Sequence, residues 1–457
     1  MKYEQLVLKI DGILRPNESF DIIRRDFMLG DGSPAVYWAI DGLINSDVLE
    51  RVLEFAGRTS AADLAAKMPF TEVGATDDPN LAASKVITGA AAFAVRDTDE
   101  VILVYARRYP ERSIEEPDNE KVLRGARDGF CERLVPNVAM IRRRVKDPAL
   151  TVELVQLGSE TKTDTALVFL KGKCDEKLLA NLRKRLGEYS AATLSFGEQT
   201  LAEYLVRRRW FDPFPKVRYT ERPDSAAAMV LEGSIIVMCD NSPSAVILPT
   251  SIFDFLQDAN DFYLPPVTAT YLRLTRLAMA LTTVFFLPVW YLVIYTPDAL
   301  PDRFEFIRVS HESAIPIFWQ IILVELIIDG LKVASLNTPH SLGNSVSVVM
   351  GLILGDLAVE IGWFVPEVIL YMAFIAIANF AQPSYELGYA LKFMRIMLLS
   401  FTALFKLWGL IAGVVVIGLL IVSNRTVDGS RGYLYPLKPW NGRAMKRFFA
   451  RTRLKHK

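Results

Sequence analysis

The chain has 457 residues, of which 51% are hydrophobic, and its 52 Lys and Arg balance its 52 Asp and Glu. A net charge of zero provides no basic field for nucleic acid, so no nucleic-acid partner is expected. The mean hydropathy of +0.23 averages a polar first half and an apolar second half. The sequence therefore predicts a soluble region followed by a membrane region of about 150 residues.

The first half carries no targeting or catalytic signal. Residues 1–11 lack the basic and apolar segments of a signal peptide, so this half is expected to stay in the cytoplasm. Its three cysteines offer no disulfide framework there. The three histidines are scattered, and no Ser/His/Asp set or Cys/His pair stands out, so we expect no catalytic residues, no metal site, no cofactor and no enzyme activity.

Strand-like and helix-like periods alternate through residues 1 to about 265. A division near Pro148 predicts two small α/β subdomains, 1–148 and 149–265. The predicted elements are strands at 35–40 and 101–107, helices at 47–55 (capped by Ser46), 128–145 and 177–186, and two hairpins that pair 151–157 with 165–170 and 234–239 with 244–248.

Five apolar stretches follow this region, and they predict a polytopic membrane domain at 266–424. The last stretch is long enough for two spans hinged near Trp408 and Gly409. Six crossings place both termini on one side, and four crossings with a re-entrant hairpin between Asn337 and Gly362 satisfy the same parity. The predicted stretches are 274–295, 315–334, 342–360, 365–381 and 389–423.

The tail at 425–457 carries ten Lys or Arg residues and one Asp. Under the positive-inside rule this excess predicts a cytoplasmic C-terminus. A solvated basic tail with no orienting role is the alternative. The predicted fold class is thus an α+β cytoplasmic domain of two small α/β subdomains followed by an all-α polytopic membrane domain.

Several charged residues interrupt the apolar stretches, and a lipid-facing helix would not tolerate them. In one interpretation, Glu325 and Asp329 pair with Lys332, Lys392 or Arg395 and lock helices together. In the other, carboxylates face a water-filled path and favour cations. The candidate polar-path residues are Glu325, Asp329, Asp356, Glu360 and Asn379.

Small residues recur at helical spacing near the middle of the membrane domain. Gly351 and Gly355 form a Gly-x-x-x-Gly step, and Ala358 and Gly362 extend it. Small residues let helix backbones approach closely, so several copies of this segment are expected to pack around an axis.

Four motifs in a fixed order resemble the A subunits of spore germinant receptors, the GerA family. The resemblance extends over about residues 20–440. The motifs are LRGARDGF at 123–130, IRRR at 141–144, TERPD at 220–224 and YLYPL at 433–437.

Two further segments, EEPD at 115–118 and GWFVPEV at 362–368, resemble the stage V sporulation protein AF branch of that family. Nutrient-receptor subunits favour Pro and then Arg-Glu where this chain has Ala126, Arg127 and Asp128. The resemblance therefore points away from direct nutrient sensing.

The resemblance implies a subunit of a pentameric ion-conducting assembly in the spore inner membrane, with both termini on the core side. It implies that this assembly amplifies ion release triggered by nutrient receptors and works with a small membrane partner and other germination proteins. A secondary transporter and a non-conducting scaffold are the alternatives. We expect the first motif to contact neighbouring subunits through Arg124, Gly125, Arg127, Asp128, Gly129 and Phe130.

Overall fold

The computed structural model describes residues 3–96, 98–110, 120, 122–206, 209–296, 307–309, 313–337, 358–427 and 432–451. The chain forms two compact units. The first comprises Met1–Arg208, Lys216–Thr250 and Arg425–Gly432, and the second comprises Arg209–Pro215, Ser251–Asn424 and Tyr433–Lys457. Residues 251–265, which the sequence analysis placed in the soluble half, therefore belong with the second unit.

The first unit contains two five-stranded sheets whose strand pairs are antiparallel. Their orders are β1-β2-β4-β5-β3 and β6-β7-β9-β10-β8. The strands are β1 Ile22–Met28, β2 Pro34–Ile40, β3 Val73–Thr76, β4 Ala91–Val95, β5 Val101–Val104, β6 Leu150–Leu157, β7 Thr163–Leu170, β8 Arg218–Thr220, β9 Ile235–Cys239 and β10 Ala245–Leu248. The helices are α1 Tyr3–Leu14, α2 Ser46–Ala56, α3 Ala61–Lys67, α4 Pro79–Ile87, α5 Leu134–Arg144, α6 Glu176–Gly187, α7 Gly197–Leu205 and α8 Pro223–Leu231.

The two sheets are copies of one design. Each follows the order ββααβαββ, with the same arrangement of strands across the sheet. Thr76 and Thr220, like Pro79 and Pro223, stand at matching points of the turn from the third strand into the following helix. This internal repeat was not predicted from the sequence, although the two helices also share Ala82 with Ala226, Ala83 with Ala227 and Val86 with Val230.

Two glycines explain why the turns are shared. Gly89 and Gly233 both end a helix at φ 94°, a conformation that favours glycine. A β-carbon on Gly89 would lie 3.0 Å from the Leu43 carbonyl oxygen, and one on Gly233 would lie 2.6 Å from the Lys173 carbonyl oxygen. In both copies glycine permits the same close approach of two loops.

Most predicted elements of this unit form, and both predicted hairpins pair antiparallel. The predicted cap Ser46 is wrong, because the Asn45 side chain accepts hydrogen bonds from the Asp47 and Val48 N–H groups. The helix predicted from residue 128 begins only at Leu134. The Asn137 side chain instead accepts a hydrogen bond from the Cys131 N–H and holds the preceding segment outside the helix.

One buried ion pair joins the two sheets. Arg142 at the end of α5 is fully buried and binds both carboxylate oxygens of Asp21 at 2.8 Å, just before β1. It also donates to the Leu150 carbonyl oxygen at 2.9 Å, where β6 begins. Removing one partner of such a pair typically costs about 3–5 kcal/mol. The arginine motif thus has a structural role in this unit.

The second unit is helical. The described part of the chain holds two helices long and apolar enough to cross a membrane, Pro266–Ile294 and Tyr385–Ser423. The helices are α9 Asn260–Tyr263, α10 Pro266–Ile294, α11 Ile317–Asn337, α12 Ala358–Glu360, α13 Pro366–Phe380, α14 Tyr385–Ser423 and α15 Gly442–Phe449, with a 3₁₀ turn at Ile252–Leu256. The predicted number of crossings stays a prediction.

The α14 segment folds back on itself. Lys406 has φ 51° and ψ −128° and interrupts the helix, close to the first central position of a type II′ turn. A β-carbon on Gly413 would lie 3.6 Å from the Leu398 Cα, whereas in a straight helix these residues would be about 22 Å apart. The limbs 385–405 and 407–423 therefore pack side by side, and the break lies two residues before the predicted hinge.

We expect a disulfide to form between cysteines introduced at Leu398 and Gly413, because a β-carbon on Gly413 would lie 3.6 Å from the Leu398 Cα, and disulfides need such close backbones. The measurement is mass spectrometry of peptides from the monomer band after mild oxidation. Cysteines at Tyr271 and Phe286, equally far apart on the unbroken α10, are the control and should not join. Efficient coupling in the control, or none at 398 and 413, would contradict the hairpin.

Candidate functional site

The loop 123–130, which carries the first motif, lies on the surface of the first unit beside the second sheet. Leu123 is 78% exposed, and Arg124 and Arg127 are also exposed. Phe130 is buried in the hydrophobic core that covers one face of that sheet. The loop is thus fixed at one end and presents two cations and an apolar side chain to its surroundings.

The TERPD motif holds this loop in place. Buried Arg222 donates to the Ala126 carbonyl oxygen at 2.9 Å and to the Glu120 carbonyl oxygen at 3.1 Å. It also pairs with Asp224 at 2.7 Å. The Phe130 N–H donates to the Glu221 carbonyl oxygen at 2.8 Å. Two motifs about 90 residues apart in sequence therefore form one site.

This site distinguishes the second copy of the repeat from the first. The position of Arg222 corresponds to Asp78 in the first copy, where the carboxylate accepts from the Asn80 N–H and caps α4. The arginine thus replaces a simple cap with a side chain that reaches a neighbouring loop. The second copy therefore holds a neighbouring loop at the position where the first copy has a helix cap.

The IRRR motif at 141–144 also supports the loop. Arg144 binds both carboxylate oxygens of Asp128 at 2.6 Å, and Arg143 lies over the Tyr109 ring at 4.6 Å. The Asp128 carboxylate is therefore already paired within the chain. Of the predicted contact residues, Arg124 and Arg127 are the charged side chains that the loop exposes.

A recess of about 300 Å³ lies beside the TERPD motif. Burial raises the pKa of the Glu120 carboxyl, although Thr220 and the Glu221 N–H donate to it at 2.6 and 3.2 Å. The recess is lined by Glu120, Glu198, Gln199, Tyr219, Thr220, Glu221 and Ser244.

The predicted polar residues of the second unit form an ion-pair cluster. The Glu325 carboxylate accepts from the Arg395 guanidinium at 2.7 and 2.8 Å and lies 3.1 Å from the Lys392 ammonium. Lys392 also contacts Asp329. Arg395 donates further to the Thr283 carbonyl oxygen at 3.1 Å. The cluster thereby ties α10, α11 and α14 together.

The side chains of this ion-pair cluster differ in how deeply they are buried. The side chains of Glu325, Lys392 and Arg395 are 7%, 4% and 3% exposed. Asp329 is 30% exposed, and its Oδ1 atom is buried without a hydrogen-bond partner among the described residues. Glu325 thus forms the ion pairs of the pairing interpretation, while Asp329 keeps one unsatisfied oxygen.

The remaining predicted path and packing residues are distributed unevenly. Gly351, Gly355 and Asp356 lie outside the described residues. Ala358 and the exposed Glu360 form the single turn α12. Gly362 follows with φ 80°, so it ends the turn and does not extend the predicted helical face of small residues.

Asn379 lies near the end of α13, where its side chain is half-buried. Its Oδ1 atom has no hydrogen-bond partner among the residues that the structure describes. A β-carbon on Gly388 would lie 3.3 Å from that oxygen. The amide therefore points toward α14 through a gap that glycine leaves.

Two functional candidates were missed from sequence. Gly409 and Gly413 form a Gly-x-x-x-Gly step that packs against the 385–405 limb, and a β-carbon on Gly409 would clash with the Phe401 carbonyl oxygen. The sequence signal is a pair of glycines four residues apart, the same spacing as Gly351 and Gly355. Within the described ranges, no group of three His, Cys, Asp or Glu side chains could hold a metal ion.

We predict that Arg222→Lys releases the motif loop, because lysine cannot reach two carbonyl oxygens and a carboxylate together. Hydrogen exchange of the Phe130 amide, measured by mass spectrometry on the complete protein, should then become at least about tenfold faster, the factor for a loss of about 1.4 kcal/mol. Arg183→Lys, which alters an exposed pair with Glu153, is the control. Unchanged exchange in the Arg222 variant would contradict this role.

Comparison with known proteins places these motifs in a family. The family model described as Bacillus/Clostridium GerA spore germination protein matches residues 10–457. Stage V sporulation protein AF of Bacillus subtilis (strain 168) is 39% identical over 80% of this chain and 74% of its own length. Spore germination protein KA of the same organism is 29% identical over 94% of this chain and 80% of its own length.

Among solved structures, the N-terminal domain of the A subunit of the Bacillus megaterium spore germinant receptor GerK3 matches with a TM-score of 0.39 and 23% identity. This match covers 53% of this chain and 92% of that one. The sequence matches extend through both compact units, and they include the motif loop and the ion-pair cluster. The chain therefore belongs to the GerA family of spore germination proteins.

Proposed function

We propose that this chain is a membrane subunit of a spore germination complex, and that several copies form an ion channel that releases cations during germination. The 39% identity to stage V sporulation protein AF supports a role in the spore, and within this proposal the complex amplifies signals that nutrient receptors start. In this proposal the chain resides in the spore inner membrane, with both termini on the core side, and works with a small membrane protein and other germination proteins.

The observation that carries this proposal is an uncovered apolar stripe on the second limb of the α14 hairpin. Apolar side chains at spacings of three and four residues leave one face of the limb exposed. A large apolar stripe is unfavourable in water, so we expect lipid or another subunit to cover it. The stripe consists of Trp408 (76% exposed), Ile411 (46%), Val415 (55%), Leu419 (63%) and Val422 (58%).

The ion-pair cluster limits which acids could favour cations. Glu325 is neutralised by Arg395 and Lys392, so it adds little net field to a nearby path. We therefore assign cation preference to Asp356 and Glu360, with Asp329 and Asn379 as polar lining. Asp356 lies outside the described residues, and its assignment rests on the sequence pattern.

Substitutions separate these roles. Asp356→Asn should lower cation flux from proteoliposomes severalfold without lowering protein abundance, because it removes a charge from the path. Glu325→Gln should lower abundance, because it leaves Arg395 without its carboxylate in a buried site. Flux is measured with a cation-sensitive dye and abundance by immunoblot. Normal flux and selectivity in Asp356→Asn would contradict the path assignment.

The kind of flux separates a channel from the alternative of a secondary transporter. A channel conducts passively, so flux should rise with the cation gradient without saturating and without a coupled substrate. Saturable flux that depends on a second solute would favour the transporter.

A non-conducting scaffold is the second candidate function, and the pairing of Glu325 with Lys392 and Arg395 supports it, because such pairs could hold helices together without lining a path. It predicts normal assembly with no flux under any gradient.

The exposed motif loop is assigned to contacts between copies. Arg127→Glu should shift the complex toward monomer, because it reverses an exposed charge at the proposed interface. Light scattering coupled to size-exclusion chromatography measures the mass. Arg58→Glu, at an exposed arginine in the first copy of the repeat, is the control. An unchanged oligomer in Arg127→Glu would remove the loop from the interface.

A further inference from the structure

The C-terminal helix α15 has one strongly basic face. Successive residues of a helix are ~100° apart, which places Arg443, Lys446 and Arg447 together on one side, and all three are exposed. The opposite side is apolar and consists of Ala444, Met445, Phe448 and Phe449. Between Lys438 and Lys457 the chain has eight Lys or Arg residues and no Asp or Glu.

The apolar side of α15 is fixed within the second unit. Phe448 is buried, and its ring lies 4.9 Å from that of Phe253. Arg273 of α10 donates to the Arg447 carbonyl oxygen at 2.7 Å, and it pairs with the fully buried Asp261 at 3.1 Å. Because these contacts hold the backbone and the apolar side, the basic side faces outward.

This attachment lies where α10 enters the apolar region. A helix needs about 20 residues to cross the hydrocarbon core, and α10 has 29. Counted back from Ile294, the core would begin near residue 275, directly after Arg273. The end of α15 is therefore held at the level expected for the boundary between lipid and water.

Exposed apolar side chains flank the basic face. Trp440 is 70% exposed, Leu437 47% and Phe449 37%. Aromatic side chains beside cations are typical of segments that lie in the headgroup region. A surface that only faced water would have little reason to expose a tryptophan next to three cations.

We propose that the basic face of α15 binds the headgroups of anionic phospholipids in the leaflet where α10 begins. The cations pair with lipid phosphates, and Trp440 enters the headgroup region. This inference rests on the proposed membrane placement of α10, but it does not depend on conduction.

Native mass spectrometry of the complete protein in detergent tests the proposal, with phosphatidylglycerol and phosphatidylcholine added at equal concentration. The wild-type protein should retain phosphatidylglycerol preferentially. The triple variant Arg443→Gln, Lys446→Gln, Arg447→Gln should lose about 100-fold of this binding, since each cation near an anionic surface contributes a factor of about five. The main-chain bonds to Arg273 stay intact in this variant.

A matched control carries the same charge change on the first unit: Lys9→Gln, Lys162→Gln, Lys177→Gln, all exposed. It should bind like wild type. Equal thermal unfolding midpoints of both triple variants in phosphatidylcholine show that α15 remains folded. Equal retention of both lipids by wild type, undiminished binding in the α15 variant, or the loss of a co-purifying acidic protein in place of lipid would overturn the proposal. Loss of lipid binding with normal flux would leave the proposed channel intact.

Discussion

Charges that leave water must find a partner inside the chain, and this constraint organises both compact units. Arg142 with Asp21, Arg222 with Asp224, and Arg395 with Glu325 are all buried or nearly so. Two of these arginines bind carbonyl oxygens of distant segments as well. Because an unpaired charge costs several kcal/mol when buried, each arginine makes the arrangement of its neighbours a condition of folding.

The same constraint limits which acidic residues could give the proposed channel a preference for cations. Glu325 and Lys392 lie in the interior of the helical unit, but their charges largely cancel. In the proposed channel, cation preference must therefore come from acids other than Glu325, and the exposed Glu360 fits that requirement because it has no ion pair with another described residue. The α14 hairpin also exposes an apolar stripe, which we propose is covered by lipid or by neighbouring subunits.

Local chemistry made much of the fold predictable. Strand alternation identified β2 and both hairpins of the second sheet, and the apolar length of 389–423 indicated two limbs, because these signals depend only on neighbouring residues. The pairing of Arg142 with Asp21 depends on a contact across more than 100 residues, which periodicity does not encode. The spacing of residues on one helix could not distinguish the two interpretations of Glu325, because the ion-pair partners of Glu325 lie on another helix, α14.

The two copies of the repeat differ in how they treat a neighbouring loop. The two copies share their turns. At matching positions, however, the first copy has Asp78, and the second has Arg222, which reaches the loop 123–130. Arg222 holds the loop through two carbonyl oxygens, whereas Asp78 only caps a helix, and in the held loop Arg124 and Arg127 are exposed. In this account the soluble unit presents a contact surface, and the helical unit supplies the membrane path.

The mass of the intact wild-type assembly in lipid nanodiscs tests the central claim most directly, because a shared path needs several copies around one axis. The account predicts a closed ring of a fixed number of chains, and the number that the family resemblance implies is five. A protein that stays monomeric across a wide range of concentrations would contradict it.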